Sequence, residues 1–417
     1  MMIGLVGFIL GLLIVGWMLR NVNSWVYERN LSEKIRYNLP PGDFGWPFIG
    51  VMWPFLRAFK FGQTGVYKAH MFGNPSVVVT SAEACKKVLT DDEGFNPGWP
   101  TATVNLIGRK SFVRHLRRRA QVASQVNRGP GERIRSVNRV HEIYRRRNVI
   151  VTLDKWADMG QIELLTELRR LTFKIIMHIF LSSESEHVRE ALEREYTMLN
   201  HEVRAMAINI PGFVYYNALK ARKNLVSVLQ AVVTKRREQR RLSGPSAKKA
   251  DMMDALLDAE DENGKTLSDE EIIDILVMYL NAGHESSGHT TMWAALYLHK
   301  NPDAFKRAKA EQEEIVRNRP ADQKGLTLRE IRKMDYLNKV IDETLRMVTF
   351  SLMVFREAKK DVNVCGYTIP KGWKVLVWFR NVHFDPKTYP DPMKFDPSRW
   401  DGFTPKAGNF LPFGGGS

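Results

Sequence analysis

At 417 residues, 44% of them hydrophobic, the chain can bury a large core, in one large domain or two closely packed ones. Its two cysteines, Cys85 and Cys365, exclude a disulfide framework and point to a reducing compartment. The net charge of +16 suggests nucleic acid or an anionic surface, yet residues 114–147 alone supply eleven Arg against Glu132 and Glu142. That segment has few aromatics for base stacking, so no nucleic-acid partner is expected.

Residues 1–19 carry no charge, and a helix over them reaches about 28 Å, close to the hydrocarbon thickness of a bilayer. A cleaved signal peptide would show a basic start and a small-residue cleavage site, which are missing. An uncleaved transmembrane anchor over residues 1–20 is predicted, with a buried helix as the alternative. Arg20, Arg29, Lys34 and Arg36 follow and put the remainder on the cytosolic side. Residues 21–50 read as a linker ending in the hinge LPPGDFGWPFIG, stiffened by Pro40, Pro41 and Pro47. The catalytic body is expected over 51–417. Residues 66–80 alternate as a short hairpin turning at Gly73-Asn74-Pro75, and 81–89 form a short helix holding Cys85 as a buried thiol.

From 149 to 259 the pattern is that of amphipathic helices. The basic run 235–241 reads as a solvated helix end rather than a binding site, and 241–250 as a loop. Pro211-Gly212-Phe213 makes an apolar corner suited to a membrane or a substrate path.

The stretch NAGHESSGHTT, residues 281–291, lies inside an apolar helix predicted over about 270–300, where Ile272, Ile273, Leu276, Tyr279 and Leu280 recur at helical spacing. Ser268 and Glu271 form a capping-box pattern at its start, and Pro302 lies beyond its end. Gly283 costs such a helix roughly 1 kcal/mol relative to Ala. Two readings stand: Ala282 and Gly283 leave room for a flat or small ligand, with Glu285 and Ser286 carrying protons to it, or small residues let helices pack closely. A zinc-protease helix is excluded, because His284 and His289 are five apart and that motif needs four.

Residues 335–348 give another helix, on which Glu343 and Arg346 share a face. Short strands follow over 361–378, joined by Gly366 and the turn Pro370-Lys371-Gly372. In the Asp- and Pro-rich segment 386–400, a buried Arg399 would join Glu343 and Arg346 in one network. The closing PFGGGS lacks the Lys and Ser or Thr of a phosphate loop.

AGHESS at 282–287, ETLR at 343–346, FDPSRW at 395–400 and PFGGG at 412–416 stand in the order and spacing of the cytochrome P-450 family. The chain resembles that family over nearly its whole length, and is similar to the plant branch that oxidises a tetracyclic diterpene acid in steps to the first gibberellin. The resemblance implies a mainly α fold with small β-sheets (α+β), heme b, and a diterpenoid acid and dioxygen as substrates. It also implies electrons from NADPH-cytochrome reductase and a single-pass anchor in the endoplasmic reticulum membrane, with the catalytic domain cytosolic. Residue by residue, Ala282, Gly283, Glu285 and Ser286 would bind and protonate dioxygen, Ser286 standing where the family usually has Thr. Glu343, Arg346 and Arg399 would hold the fold around the heme, Arg356 would pair with a propionate, and Phe413 and Gly416 would open the heme-binding loop. Candidate pocket walls are residues 95–107, the Pro211 corner and 349–355.

Two departures qualify the resemblance. By the loop's spacing the thiolate ligand belongs four positions after Gly416, whereas the chain stops at Ser417, so no metal ligand is assigned. Cys85 and Cys365 lie in other elements, and the chain as written is expected to be inactive: an incomplete oxidase sequence, or a non-catalytic membrane-anchored binding protein. The second departure is 114–147. There the family pattern continues IGRKSF with a helix carrying a propionate arginine, and RHLRRRAQVASQVNRGPGER back-translates so that a one-nucleotide shift reads GISGEEHKWLRKLTAAPVNG. That segment is expected to be frameshifted, with the frame restored near Asn148, and His115 and Arg119 are not assigned as heme ligands.

Overall fold

The structure, a computed structural model, describes residues 2–45, 65–108, 149–181, 185–202, 207–243, 251–260, 264–323, 326–349 and 353–415. Helices α1 (Met2–Glu28) and α2 (Glu33–Tyr37) open the chain, followed by strands β1 (Val66–Met71) and β2 (Asn74–Val79). Then come α3 (Ala82–Thr90), β3 (Phe95–Pro97) and α4 (Thr101–Ile107). A helical run follows: α5 (Val149–Met159), α6 (Leu164–Phe180), α7 (Glu186–Glu202), α8 (Val214–Ser243), α9 (Met252–Leu257), α10 (Asp269–Lys300), α11 (Pro302–Arg317), α12 (Leu328–Ile331) and α13 (Asp335–Val348). Strands β4 (Met353–Ala358), β5 (Val362–Val364), β6 (Tyr367–Ile369) and β7 (Lys374–Trp378) precede α14 (Phe379–His383) and a 3-10 turn at Pro397–Trp400. The expected mainly α fold with small sheets is what forms.

The chain divides into two compact units, 1–100 with 345–417, and 101–344. The first holds a five-stranded sheet in the order β1-β2-β7-β4-β3 and the separate hairpin β5-β6. Hairpin β1-β2 turns at Phe72 and Gly73, both at positive φ, the turn whose twist suits two antiparallel strands. Strand β2 then pairs in parallel with β7, Ser76 opposite Lys374. Both faces of the sheet are covered, so the strands carry little polar alternation. Val77, Val79, Val375 and Val377 join Phe44, Cys85 and Val88 on one side, while Ala69, Met71, Val78, Leu376 and Trp378 cluster on the other.

In its described part the segment expected as a linker packs against the first unit's sheet. Leu39 and Phe44 are buried, because leaving them in water would forfeit their transfer energy. Lys68 donates its N–H to Pro41 O at 2.9 Å. Gly42 runs so close to β1 that a Cβ there would fall 2.2 Å from Lys68 O. Helix α1 continues unbroken past residue 20, and its last turns are tied down: Asn23 donates to Phe44 O and Gly45 O, Tyr27 stacks on His70 at 5.5 Å, and Glu28 pairs with Lys68 at 2.6 Å. Side chains of most of residues 2–13 are outside the description, and among the described residues no helix is long and apolar enough to cross a membrane. Residues 46–50 of the expected hinge and the whole of 114–147 also lie outside the described residues.

In the second unit, α10 supplies the axis of the core through Ile272, Ile273, Ile275, Leu276, Val277 and Leu280, with α6, α7 and α8 around it. Its start is the expected capping box: Ser268 Oγ accepts from Glu271 N, and Glu271 Oε2 accepts from Ser268 N. The basic run 235–241 is solvated on one face only: Lys235 and Arg241 are exposed, while the face carrying Arg236, Arg237 and Arg240 is paired with acids. Arg236 is buried between Asp251 and Asp254 at 2.9 and 3.0 Å, Arg237 meets Asp269, and Arg240 meets Asp258. The acids of α9 and of the start of α10, not water, satisfy these guanidiniums.

Candidate functional site

The stretch 281–291 falls in the middle of α10 and presents two different faces. Ala282 and Ser287 are exposed and Ser286 is half-buried, its hydroxyl bonded back to Ala282 O at 2.5 Å. His284, Glu285 and Gly288 are buried. The Glu285 carboxylate turns toward α6 and α7, where Oε2 accepts from Arg169 Nε and Nη2 at 3.3 and 3.1 Å and Oε1 from Asn200 Nδ2 at 2.7 Å. His289 Nδ1 reaches the same carboxylate at 3.1 Å. His284 bonds Arg169 O through Nε2 and stands edge-on to Phe173 and Tyr196; burial pushes its pKa down and that of Tyr196 up. Of the two readings of the small residues, close packing accounts for Gly283: a Cβ there would lie 2.8 Å from Ile176 Cδ1.

Arg346 is densely bonded. Wholly buried on α13, it donates from Nη1 to His383 O and Pro392 O at 2.8 and 2.9 Å, and from Nη2 to Lys394 O at 3.3 Å. Its guanidinium also lies over the rings of Phe384 and Tyr389. Arg399, only partly buried, donates to Pro390 O, Asp391 O and, at 3.4 Å, the same Lys394 O. The two arginines thus clamp residues 390–394 by their carbonyls. Glu343 is fully buried on the same helix as Arg346.

Arg356 sits on β4, opposite Pro97 of β3 and Val375 of β7. Its side chain is 7% exposed. Nη2 donates to Leu89 O at 3.1 Å, Nη1 lies 4.0 Å from Asp92, and Nε has no partner among the described residues. Burial pushes the guanidinium pKa down, with Asp92 only partly offsetting it. Leu89 also meets the glycine-rich segment, since a Cβ on Gly415 would lie 3.3 Å from Leu89 Cδ1 and 2.9 Å from Leu411 Cδ2. Phe413 is 87% exposed, and Gly416 lies outside the described residues. Leu89, His383, Arg169 and Asn200 carried no signal in the sequence, because each acts through partners far away in the chain.

Heme is the group the resemblance implies, and the donors present fit it unequally. A buried guanidinium with an open N–H suits a propionate carboxylate. Neither cysteine suits iron. Cys85 donates from Sγ to Val79 O, and burial pushes its thiol up to about 12, so it stays protonated. Cys365 stands exposed on the β5-β6 turn at φ 50°. The described residues therefore fit the rim of a heme and not its metal.

Residues 50–417 match the cytochrome P450 family. The chain is similar to ent-kaurenoic acid oxidase 1 of Arabidopsis thaliana, 59% identical over 98% of this chain and 86% of that one. It is similar also to 7,8-epoxymelianol synthase CYP88A154 of Ailanthus altissima, 48% identical over 95% of this chain and 82% of that one. Among solved structures it resembles the retinoic acid bound cyanobacterial CYP120A1, with a TM-score of 0.76 and 27% identity, covering 91% of this chain and 86% of the other. Sequence motifs, fold and relatives agree over nearly the whole length, and the chain belongs to the cytochrome P450 family.

Proposed function

We propose that this chain is a heme monooxygenase of the ent-kaurenoic acid oxidase type, acting on a tetracyclic diterpenoid acid with electrons from NADPH-cytochrome reductase. The observation that carries the substrate is the 59% identity to the Arabidopsis oxidase across 98% of the chain. When bound, heme supplies the reductive activation of dioxygen that inserts oxygen into a C–H bond. Arg356 holds a propionate through its open Nε–H. Ser286, whose hydroxyl proton lies on Ala282 O, keeps its lone pairs for an incoming donor. Protons reach Glu285 through His289, a quarter exposed and 3.1 Å from Oε2, while Arg169 and Asn200 fix the carboxylate in place.

The same proposal includes an anchor in the endoplasmic reticulum membrane with the body cytosolic. It is supported by the uncharged run before Arg20, by exposed Trp17 and Trp25, and by Arg29 over the Trp25 ring, a pairing suited to a headgroup layer.

The test is titration of the expressed chain, loaded with heme, with ent-kaurenoic acid while the heme absorption is followed. A saturable, stoichiometric change is expected, and none with the product named for the Ailanthus relative. An equal response to both would remove the substrate assignment.

A further inference from the structure

Four buried residues of the first unit form a hydrogen-bonded circuit that the proposed chemistry does not use. Leu411 N–H donates to His383 Nε2 at 2.8 Å, so that nitrogen carries no proton and the neutral ring bears its hydrogen on Nδ1. Nδ1 donates to Thr349 Oγ1 at 2.9 Å, and Thr349 Oγ1 donates to Arg346 O at 2.9 Å. In the other direction, Arg346 Nη1 donates to His383 O at 2.8 Å. The polarity of the chain cannot be reversed, because a backbone N–H at one end only donates and a carbonyl at the other only accepts. His383 and Arg346 are wholly buried, Thr349 and Leu411 nearly so.

Thr349 shows what the circuit holds in place. It sits at φ 45°, a left-handed conformation that a β-branched residue rarely adopts. Its hydroxyl, fixed between Arg346 O and the His383 ring, is the compensation. At the far end, Leu411 is the residue before Pro412, which has no N–H of its own, and Gly414 N–H turns back onto Leu411 O. The Leu411 amide is therefore where the glycine-rich segment is tied to the body.

We propose that His383 is the positioning residue of this segment: its Nε2 sets how far the Leu411 amide, and the loop that begins at Pro412, stands from the Arg346 turn of α13. The functional meaning rests on reading 412–416 as the opening of the heme-binding loop; the geometry itself needs no heme. An imidazolium would point an N–H at the Leu411 N–H beside the Arg346 guanidinium. Burial and that charge push the His383 pKa down to about 3, so the ring keeps one tautomer at neutral pH.

Substitution separates the two ring nitrogens. A Gln amide reaches the place of Nε2 and an Asn amide that of Nδ1, so His383→Gln keeps an acceptor for Leu411 while His383→Asn keeps only the donor to Thr349. The experiment is amide hydrogen exchange at Leu411 in the 417-residue chain without heme, with the urea midpoint measured on the same samples. After correction for global stability, His383→Asn is expected to speed Leu411 exchange by about tenfold or more, the loss of one hydrogen bond, and His383→Gln by less than about threefold. Equal acceleration in both variants, or none in His383→Asn, overturns the proposal. Should a variant fail to fold, ring nitrogen NMR shifts of the unsubstituted chain decide: protonation on Nδ1 supports the assignment, and protonation on Nε2 overturns it. Failure of the heme reading would leave these rates and shifts unchanged and would show only in the heme titration.

Discussion

A guanidinium kept at 7% exposure with one carbonyl bond and a carboxylate 4.0 Å away is poorly matched to its surroundings. Removing a buried charge that lacks a close partner is commonly neutral or stabilising, whereas removing a well-bonded one is costly. Arg356 and Arg346 are the two cases side by side. Arg356→Met is expected to raise the stability of the heme-free chain by about 1 kcal/mol and to weaken heme retention, the trade-off of a functional group. Urea denaturation with and without heme measures both. A loss of more than about 1 kcal/mol without heme would make Arg356 a structural residue instead. Arg346, with three carbonyls and two rings around it, has no such slack.

At the scale of an element, α10 combines a strong start with a weakened middle. Its capping box satisfies two N-terminal donors, and Ser268→Ala is expected to cost about 1 kcal/mol in chemical denaturation. An unchanged midpoint would show that tertiary packing alone holds that end. In the middle, Gly283 gives up roughly 1 kcal/mol of helix propensity so that α6 can approach, Ile176 filling the space a side chain would take. Both ends of α10 were legible in the sequence, because capping and the proline that opens α11 are local chemistry. So were the β1-β2 hairpin, though its turn falls at Phe72-Gly73 with Asn74 and Pro75 already in β2, and strands β5 to β7; β4, over Met353–Ala358, was not. The burial of Leu39 and Phe44, and the pairing of Arg236 with Asp251 and Asp254, were not: charge runs and proline-rich segments read as solvated until their partners are placed.

For the molecule as a whole, acid sensitivity follows from its histidines. His383, held at about 3, is lowered by burial and by Arg346, and His70 and His284 are lowered by burial. The unfolded chain, with imidazoles near about 6.5, takes up these protons first as pH falls. Their contribution is therefore full above about 6.5 and declines as pH drops toward 3, by at most about 1.4 kcal/mol per pH unit per group. Stability curves of the unsubstituted chain and His383→Gln are expected to differ in slope by up to one proton over that window; parallel curves would mean that His383 is not buried neutral. What the sequence determined by itself was the set of elements and the family, since helix caps, strand alternation and the spacing of AGHESS, ETLR, FDPSRW and PFGGG are all short-range. Only the tertiary structure decided how those pieces act. It paired β2 with β7 some three hundred residues apart, turned Glu285 toward Arg169, left Arg356 Nε open, and placed His383 between Arg346 and Leu411. The physical reason is that a hydrogen bond or an ion pair depends on a few tenths of an ångström between groups distant in the chain, and no local pattern encodes that separation.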